Sequence, residues 1–136
     1  MHILIVDDDP LSQLFLKTVL EPFGTCTIAG DGLTAVRLYS QAALDGAGFG
    51  VVFMDIMMPA MNGLDAVDRI REFEAHTPSR VSAPAVFVVV TAAEQSQRLI
   101  NAYCGGDVFL CMKKPLERAD VEAVMVKILG KSQDEH

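Results

Sequence analysis

The chain has 136 residues, of which 51% are hydrophobic and 21% are charged, and its formal net charge is -7. This composition indicates a single folded domain with a buried core and excludes a disordered chain. No apolar run approaches the roughly 20 residues that a transmembrane helix needs. The chain has 18 acidic and 11 basic residues, and this excess of negative charge argues against nucleic-acid binding and suits a protein that gathers cations around an acidic pocket.

The cysteines and the amino terminus add two further expectations. Cys26, Cys104 and Cys111 show no paired spacing, which argues against a disulfide framework and against a zinc site. A strand pattern begins directly after Met1 and leaves no room for a signal peptide. We therefore expect a cytoplasmic protein.

The first half of the chain alternates between strand and helix patterns. Residues 2–6 form an aliphatic strand pattern, and Asp9 followed by Pro10 predicts the cap and first residue of a helix. Pro22 and Gly24 end that helix. Residues 25–29 predict a second strand, and the next helix carries apolar residues at helical spacing from Ala35 onwards.

The second half repeats the alternation three times. Residues 51–54 predict a short strand buried on both faces, which ends on Asp55, and a helix follows from Leu64 to about residue 75. Residues 85–90 and 108–112 predict the fourth and fifth strands, with a helix over residues 94–103 between them. A last helix follows Pro115. We expect one domain over residues 1–130, and because residues 131–136 are polar and terminal we expect them to form a frayed tail.

A βα unit repeated five times predicts an α/β fold with a five-stranded parallel sheet and helices on both faces. We expect the doubly wound strand order 2-1-3-4-5 with five helices. In such a sheet the ligand crevice lies outside the carboxyl ends of strands one and three.

The predicted topology brings several polar side chains together at that edge. These side chains follow strands one, three, four and five, and they are Asp7, Asp8, Asp55, Thr91 and Lys114. Three carboxylates in one small site repel one another, and a divalent cation relieves the repulsion. Oxygen ligands without His or Cys favour Mg²⁺, with Mn²⁺ as a possible substitute. The lysine and the hydroxyl suit a phosphoryl group, so the set indicates phosphoryl transfer onto a carboxylate.

Four segments carry a resemblance to a known family: ILIVDDDP at the start, FMDIMMPAMNG around Asp55, VVVTAAE at Thr91 and KKP at Lys114. Over nearly its whole length the chain resembles the receiver domain of response regulators in two-component phosphorelay systems. It is similar to the stand-alone, chemotaxis-regulator-like members. The resemblance implies a flavodoxin-like fold and a signalling switch that is not an enzyme beyond its own phosphorylation and dephosphorylation.

The resemblance also implies a role for each site residue. Asp55 would accept a phosphoryl group from a sensor histidine kinase or a phosphotransfer protein. Asp8, Asp55 and the backbone carbonyl of Met57 would ligate Mg²⁺ directly, and Asp7 would act largely through water. Lys114 would form an ion pair with the phosphoryl group, and the Thr91 hydroxyl would bond to it.

The chain departs from the family pattern on the fifth strand. Receivers usually carry an aromatic switch residue three positions before the lysine, where this chain has Cys111. Spacing from Gly105 points to Phe109 instead, so both residues remain candidates.

The output surface for a downstream protein would be formed by the helix between strands four and five, strand five and the last helix, near Arg98, Tyr103, Lys113 and Arg118.

Two other classes of function remain as alternatives. An aspartyl-nucleophile phosphohydrolase shares a strand-end Asp and Mg²⁺, but it usually needs a second Asp where this chain has Met57. A degenerate receiver would act only as a docking module, and the complete set of five polar residues argues against it. We expect no nucleic-acid or membrane partner.

Overall fold

The computed structural model describes residues 1–56, 63–77, 84–91 and 109–134. Its strands form one five-stranded sheet in the order β2-β1-β3-β4-β5, and every neighbouring pair is parallel. The elements in chain order are β1 His2–Val6, α1 Pro10–Leu20, a 3₁₀ turn Glu21–Phe23, β2 Thr25–Ala29, α2 Gly32–Leu44, β3 Val51–Asp55, α3 Gly63–His76, β4 Val86–Thr91, β5 Phe109–Lys113 and α4 Arg118–Asp134. The predicted fold class and strand order are confirmed.

Four helices lie within the described residues. The helix predicted over residues 94–103 lies outside them. The last helix extends to Asp134, so residues 131–134 belong to it, and the domain boundary at residue 130 stays a prediction. No helix in the described part of the chain is both long enough and apolar enough to cross a bilayer.

The helices cover both faces of the sheet because consecutive strand residues point to opposite sides. On one face, α1 and α4 pack against β1, β3 and β4 through a buried cluster that includes Leu16, Leu20, Val121, Met125, Ile3, Phe53 and Val88. On the other face, α2 and α3 pack against the alternate strand residues through Ala35, Tyr39, Val67, Ile70, Leu4, Val52 and Phe87. This double burial explains why the central strands are continuous apolar runs.

Side chains fix the start of α1 and α2. The carboxylate of Asp9 accepts hydrogen bonds from the Leu11 N–H at 3.1 Å and from the Ser12 hydroxyl at 3.1 Å. Asp31 caps α2 by accepting from the Thr34 N–H at 2.7 Å. These bonds satisfy N–H groups that have no partner inside the helix. The prediction that Asp9 caps the first helix is confirmed.

A polar network joins α2 and α3 to the start of β4. Glu74 accepts a hydrogen bond from Arg71 at 2.7 Å, from the Tyr39 hydroxyl at 2.5 Å and from the Ala85 N–H at 2.9 Å. Arg71 also donates to the Ala85 carbonyl at 3.0 Å, and its guanidinium lies 4.5 Å from the centre of the Phe87 ring. Burial and the Glu74 carboxylate raise the pKa of Tyr39, so its hydroxyl remains a donor. Both backbone groups of Ala85 are therefore held by one ion pair.

Candidate functional site

Three carboxylates meet at the carboxyl edge of the sheet. Asp7 directly follows β1 and Asp55 is the last residue of β3. Since β1 and β3 are parallel neighbours with Val6 beside Met54, their ends lie side by side. Asp7 and Asp55 are only 2% and 3% exposed, whereas Asp8 faces solvent. Carboxylate oxygens of the three residues all lie within 4.8 Å of one another.

The lysine and the threonine reach the same edge from β4 and β5. Thr91 is the last residue of β4 and is buried, and its carbonyl accepts a hydrogen bond from the Lys114 N–H at 2.9 Å. The Lys114 ammonium donates to the Asp55 carboxylate, with Nζ 3.2 Å from Oδ2. The structure therefore brings the three carboxylates and the Lys114 ammonium together and places Thr91 at the same edge of the sheet.

The charges of the pocket are not balanced. Burial raises the pKa of Asp7, and the negative charges of Asp55 and Asp8 add to that effect, against the hydrogen bond from the Asp9 N–H and the charge of Lys114. Burial by itself would lower the pKa of Lys114, but the hydrogen bond and charge of Asp55, with Asp7 and Asp8, raise it overall. One ammonium thus faces three carboxylates, and the pocket favours an additional cation.

The donor set fits a hard divalent ion. The three residues offer only carboxylate oxygens, which are ligands of Mg²⁺ and Mn²⁺. The predicted ligand at the Met57 carbonyl lies outside the described residues. Asp9 uses its carboxylate to cap α1, in agreement with its predicted role as a helix cap.

The backbone around Asp7 is held by three hydrogen bonds. The Asp7 N–H donates to the carbonyl of Ala29 at 3.1 Å, and the Asp9 N–H donates to Oδ1 of Asp7 at 2.9 Å. The side-chain amide of Gln13 donates to the Asp7 carbonyl at 2.6 Å. These bonds fix the direction in which the chain leaves β1, and with it the position of the Asp7 carboxylate.

Gly63 brings the start of α3 against the end of β3. A Cβ at Gly63 would lie 2.6 Å from the carbonyl oxygen of Asp55, 2.8 Å from Cα of Ile56 and 2.9 Å from the Met54 side chain. The Gly63 N–H also donates to the carbonyl of Ile56 at 3.2 Å. Only a residue without a Cβ permits this approach, so the helix and the Asp55 backbone are positioned together.

The sequence patterns identify neither Gln13 nor Gly63 as a site residue. For Gly63 the available signal is a glycine eight residues after a strand-end carboxylate, which is compatible with close backbone approach. Gln13 has no comparable signal, because a polar residue in an amphipathic helix is usually solvated. Its role depends on a contact with residue 7 that only the folded chain shows.

The two switch candidates both lie on β5. The register pairs Phe109 with Phe87, Cys111 with Val89 and Lys113 with Thr91. Directly paired residues point to the same side of a sheet, so Cys111 and Lys113 lie on the face of Thr91. The pairing is regular from Phe109 to Lys113 and shows no bulge there.

Of the predicted output residues, Lys113 and Arg118 are exposed, and Arg98 and Tyr103 lie outside the described residues.

The chain matches the response regulator receiver domain family over residues 3–126. It belongs to that family. Receiver domains are signalling domains of two-component and phosphorelay systems, so the predicted resemblance is confirmed at the level of the family.

Curated relatives of this receiver domain are much longer proteins. The chain is 33% identical over 131 residues to the sensor protein GacS of Pseudomonas syringae pv. syringae, and this match covers 95% of the chain and 13% of GacS. It is 34% identical over 144 residues to the probable histidine kinase 2 of Oryza sativa subsp. japonica, covering 97% of the chain and 13% of that kinase. The chain thus spans about an eighth of the length of these relatives.

Solved structures share the fold of this receiver domain. The CheX–CheY–BeF3–Mg complex from Borrelia burgdorferi matches with a TM-score of 0.74 and 26% identity, over 95% of this chain and 89% of that one. The receiver domain of the sensor histidine kinase PA1611 from Pseudomonas aeruginosa matches with a TM-score of 0.73 and 23% identity, over 95% and 97% of the chains. That receiver was solved with a magnesium ion coordinated in its active-site cleft.

Proposed function

We propose that this receiver domain is a phosphoacceptor switch in which Asp55 takes a phosphoryl group from a phosphohistidine in a Mg²⁺-dependent reaction. One observation supports it above the others. A nearly buried acceptor carboxylate lies within 4.8 Å of two further carboxylates, and an ammonium lies 3.2 Å from its oxygen. A carboxylate in such surroundings is positioned to act as a nucleophile towards an electrophile that brings its own negative charge.

In this proposal Asp8, Asp55 and the Met57 carbonyl hold Mg²⁺ directly, and Asp7 holds it largely through water. When bound, the ion offsets the charge of the carboxylates and of the phosphoryl oxygens. A nearly buried Asp55 has few hydrogen-bonding waters to lose as the donor approaches. The open side of the pocket is formed by exposed Asp8 and by Lys114, which is 40% exposed.

The protein groups then have separate tasks in the transfer. An Asp55 oxygen forms a bond to phosphorus while the bond from phosphorus to the donor nitrogen breaks, and the leaving imidazole keeps that electron pair and takes a proton from water. Lys114 moves its ammonium from the Asp55 oxygen towards the phosphoryl oxygens. The Thr91 hydroxyl donates to a phosphoryl oxygen once the group is on Asp55.

The partners follow from this chemistry. The donor is a sensor histidine kinase or a histidine phosphotransfer protein, as in the solved yeast complex of Ypd1 with the receiver domain of Ssk1. The output is a changed surface around β5 and α4 that regulates a partner protein. The chain works in the cytoplasm and catalyses only its own phosphorylation and dephosphorylation. Phosphorylation replaces a carboxylate by a group of about -1.5 to -2 charge, which can bias a two-state surface.

The test is incubation with Mg²⁺ and acetyl phosphate, followed by intact mass and peptide mapping. We expect a gain of one phosphoryl group on Asp55, which is lost in EDTA and in Asp55→Asn. Asp68→Asn is the control, because Asp68 is an exposed carboxylate on α3. Continuous release of phosphate without a stable adduct would instead indicate a phosphohydrolase, and no reaction at all would indicate a docking module.

A further inference from the structure

The side chain of Gln13 connects α1 to the metal-binding end of β1. Its amide nitrogen lies 2.6 Å from the carbonyl oxygen of Asp7, while its backbone N–H donates to the carbonyl of Asp9 at 3.0 Å. One residue therefore donates to the carbonyls on both sides of Asp8. Asp8 itself is exposed, and these two bonds fix the backbone from which its carboxylate projects.

The Asp7 carbonyl needs a donor from outside the sheet. The register pairs β1 with β2 and β3 as far as Val6, so Asp7 lies one residue beyond the paired strand. A buried carbonyl without a donor loses the hydrogen bond that water would have made. The Gln13 amide satisfies this group and at the same time determines the direction of the chain after β1.

Gln13 also reaches the turn that follows β2. Its amide nitrogen lies 4.0 Å from the position that a Cβ would take at Gly30, and Ala29, one residue earlier, accepts the Asp7 N–H. Gln13 therefore lies between the ends of β1 and β2. It is half-buried, which limits the alternative rotamers that its amide could adopt.

We infer that Gln13 is a positioning residue for the metal site, which acts by holding the backbone of Asp7 and Asp8 in the geometry that the cation requires. The inference rests on the proposed Mg²⁺-dependent function. It assigns to α1 a task beyond packing, because the helix sets the separation of the carboxylates at the end of β1 from Asp55. The acceptor itself is positioned by β3 and does not depend on Gln13.

Gln13→Met tests this, since methionine is as long and unbranched as glutamine but cannot donate to the Asp7 carbonyl. We expect the Mg²⁺ dissociation constant, measured by calorimetry, to rise about 3- to 10-fold, the factor that corresponds to one lost hydrogen bond. The Mg²⁺ concentration that half-saturates phosphorylation by acetyl phosphate should rise by the same factor. The rate at saturating Mg²⁺ should stay within about twofold, because Asp55 and Lys114 are unchanged.

Gln13→Asn provides a second variant, because it keeps the amide but is one methylene too short for the 2.6 Å contact. It should weaken Mg²⁺ binding as Gln13→Met does. Gln41→Met is the matched control, since Gln41 is an exposed glutamine near the end of α2, and its Mg²⁺ constant should equal that of the wild type.

An unchanged Mg²⁺ dissociation constant in Gln13→Met would overturn the inference. If the free energy of unfolding in EDTA falls at the same time, the Gln13 contact is purely structural. Wild-type protein that neither binds Mg²⁺ nor accepts a phosphoryl group would contradict the proposed function itself. The wild-type measurement therefore separates the two failures.

Discussion

Asp7 is buried beside two other carboxyl groups, and its ionisation opposes folding when no cation is bound. Its pKa is raised, first by burial and then by the charges of Asp55 and Asp8. In a group of this kind the native state binds the proton more tightly than the unfolded state does. Its contribution to stability therefore becomes more favourable as pH falls from above the raised pKa towards the ordinary value of 3.8.

Asp7→Asn removes this charge and keeps an oxygen that can accept from the Asp9 N–H. In EDTA at neutral pH we expect the midpoint of thermal unfolding to rise by about 2–5 °C. The advantage over wild type should shrink as pH is lowered through the window between the raised pKa and 3.8. Calorimetric scans across pH provide the measurement.

Asp31→Asn is the control for Asp7→Asn, because hydrogen bonds from Thr34 lower the pKa of Asp31 and its charge favours folding. Asp31→Asn should therefore change the midpoint of thermal unfolding in the opposite direction to Asp7→Asn, with no gain at neutral pH. Added Mg²⁺ should stabilise the wild type more than Asp7→Asn, which keeps the direct ligands but loses one negative charge. An Asp7→Asn protein that is less stable than wild type in EDTA would show that the carboxylate is not under electrostatic stress.

The approach of α3 to β3 depends on the absence of a single side chain. In Gly63→Ala the new Cβ would overlap the Asp55 carbonyl and the Ile56 backbone at 2.6 Å and 2.8 Å, so the helix or the strand end must shift. We expect a loss of about 1–3 kcal/mol in the free energy of unfolding. The rate of phosphorylation should fall as well, because the atoms displaced belong to the acceptor. Urea titration and acetyl phosphate kinetics measure the two effects.

Gly130→Ala is the matched substitution for Gly63→Ala in α4. Nothing lies within 4 Å of the position that its Cβ would take, so alanine should stabilise the helix by about 0.5–1 kcal/mol. Replacing glycine by alanine is thus expected to lower the free energy of unfolding at Gly63 and to raise it at Gly130. Equal effects at both positions would contradict the close approach at Gly63.

The clamp of Arg71 and Glu74 on Ala85 holds α3 and β4 together at the opposite end of the sheet from the pocket. Glu74→Ala removes the acceptor of three hydrogen bonds and leaves a partly buried guanidinium without its carboxylate. We expect a loss of about 2–4 kcal/mol in the free energy of unfolding. Mg²⁺ affinity should be unchanged in the protein that remains folded.

Glu72→Ala is the control for Glu74→Ala, since Glu72 is an exposed neighbour on the same helix. Its effect should lie within about 0.5 kcal/mol of zero. Urea denaturation of the three proteins measures both values. A Glu74→Ala protein as stable as Glu72→Ala would show that water replaces the clamp at little cost.

The sequence predicted those parts of the structure that depend on local patterns. The bounds of β1 and β2, the cap at Asp9 and the strand order follow from apolar runs, turn residues and the βα alternation. The polar residues at strand ends were predictable too, because topology alone brings them to one edge. The polar network around Glu74 was not predictable, since its hydrogen bond with Tyr39 joins residues 35 positions apart in the chain. The Gln13 contact likewise depends on how α1 leaves the sheet.

The two edges of the sheet carry one half-buried cysteine each. Cys26 lies on β2 and Cys111 lies on β5, and burial raises the pKa of both thiols. Of these two cysteines, Cys111 is the one on the face of Thr91, which pairs with Lys113 two residues further along β5. If phosphorylation acts through Thr91 on β5, the two thiols should respond differently.

Chains that retain a single cysteine can test how the signal leaves the pocket. With Cys26 and Cys104 replaced by alanine, the rate at which a thiol reagent modifies Cys111 should change severalfold on addition of Mg²⁺ and acetyl phosphate. With Cys104 and Cys111 replaced, the rate at Cys26 should stay constant, because β2 lies on the far side of β1 and β3. Thr91→Ala should abolish the response at Cys111 while Asp55 is still phosphorylated. A response of equal size at both edges would mean that phosphorylation loosens the whole sheet and does not act through β5.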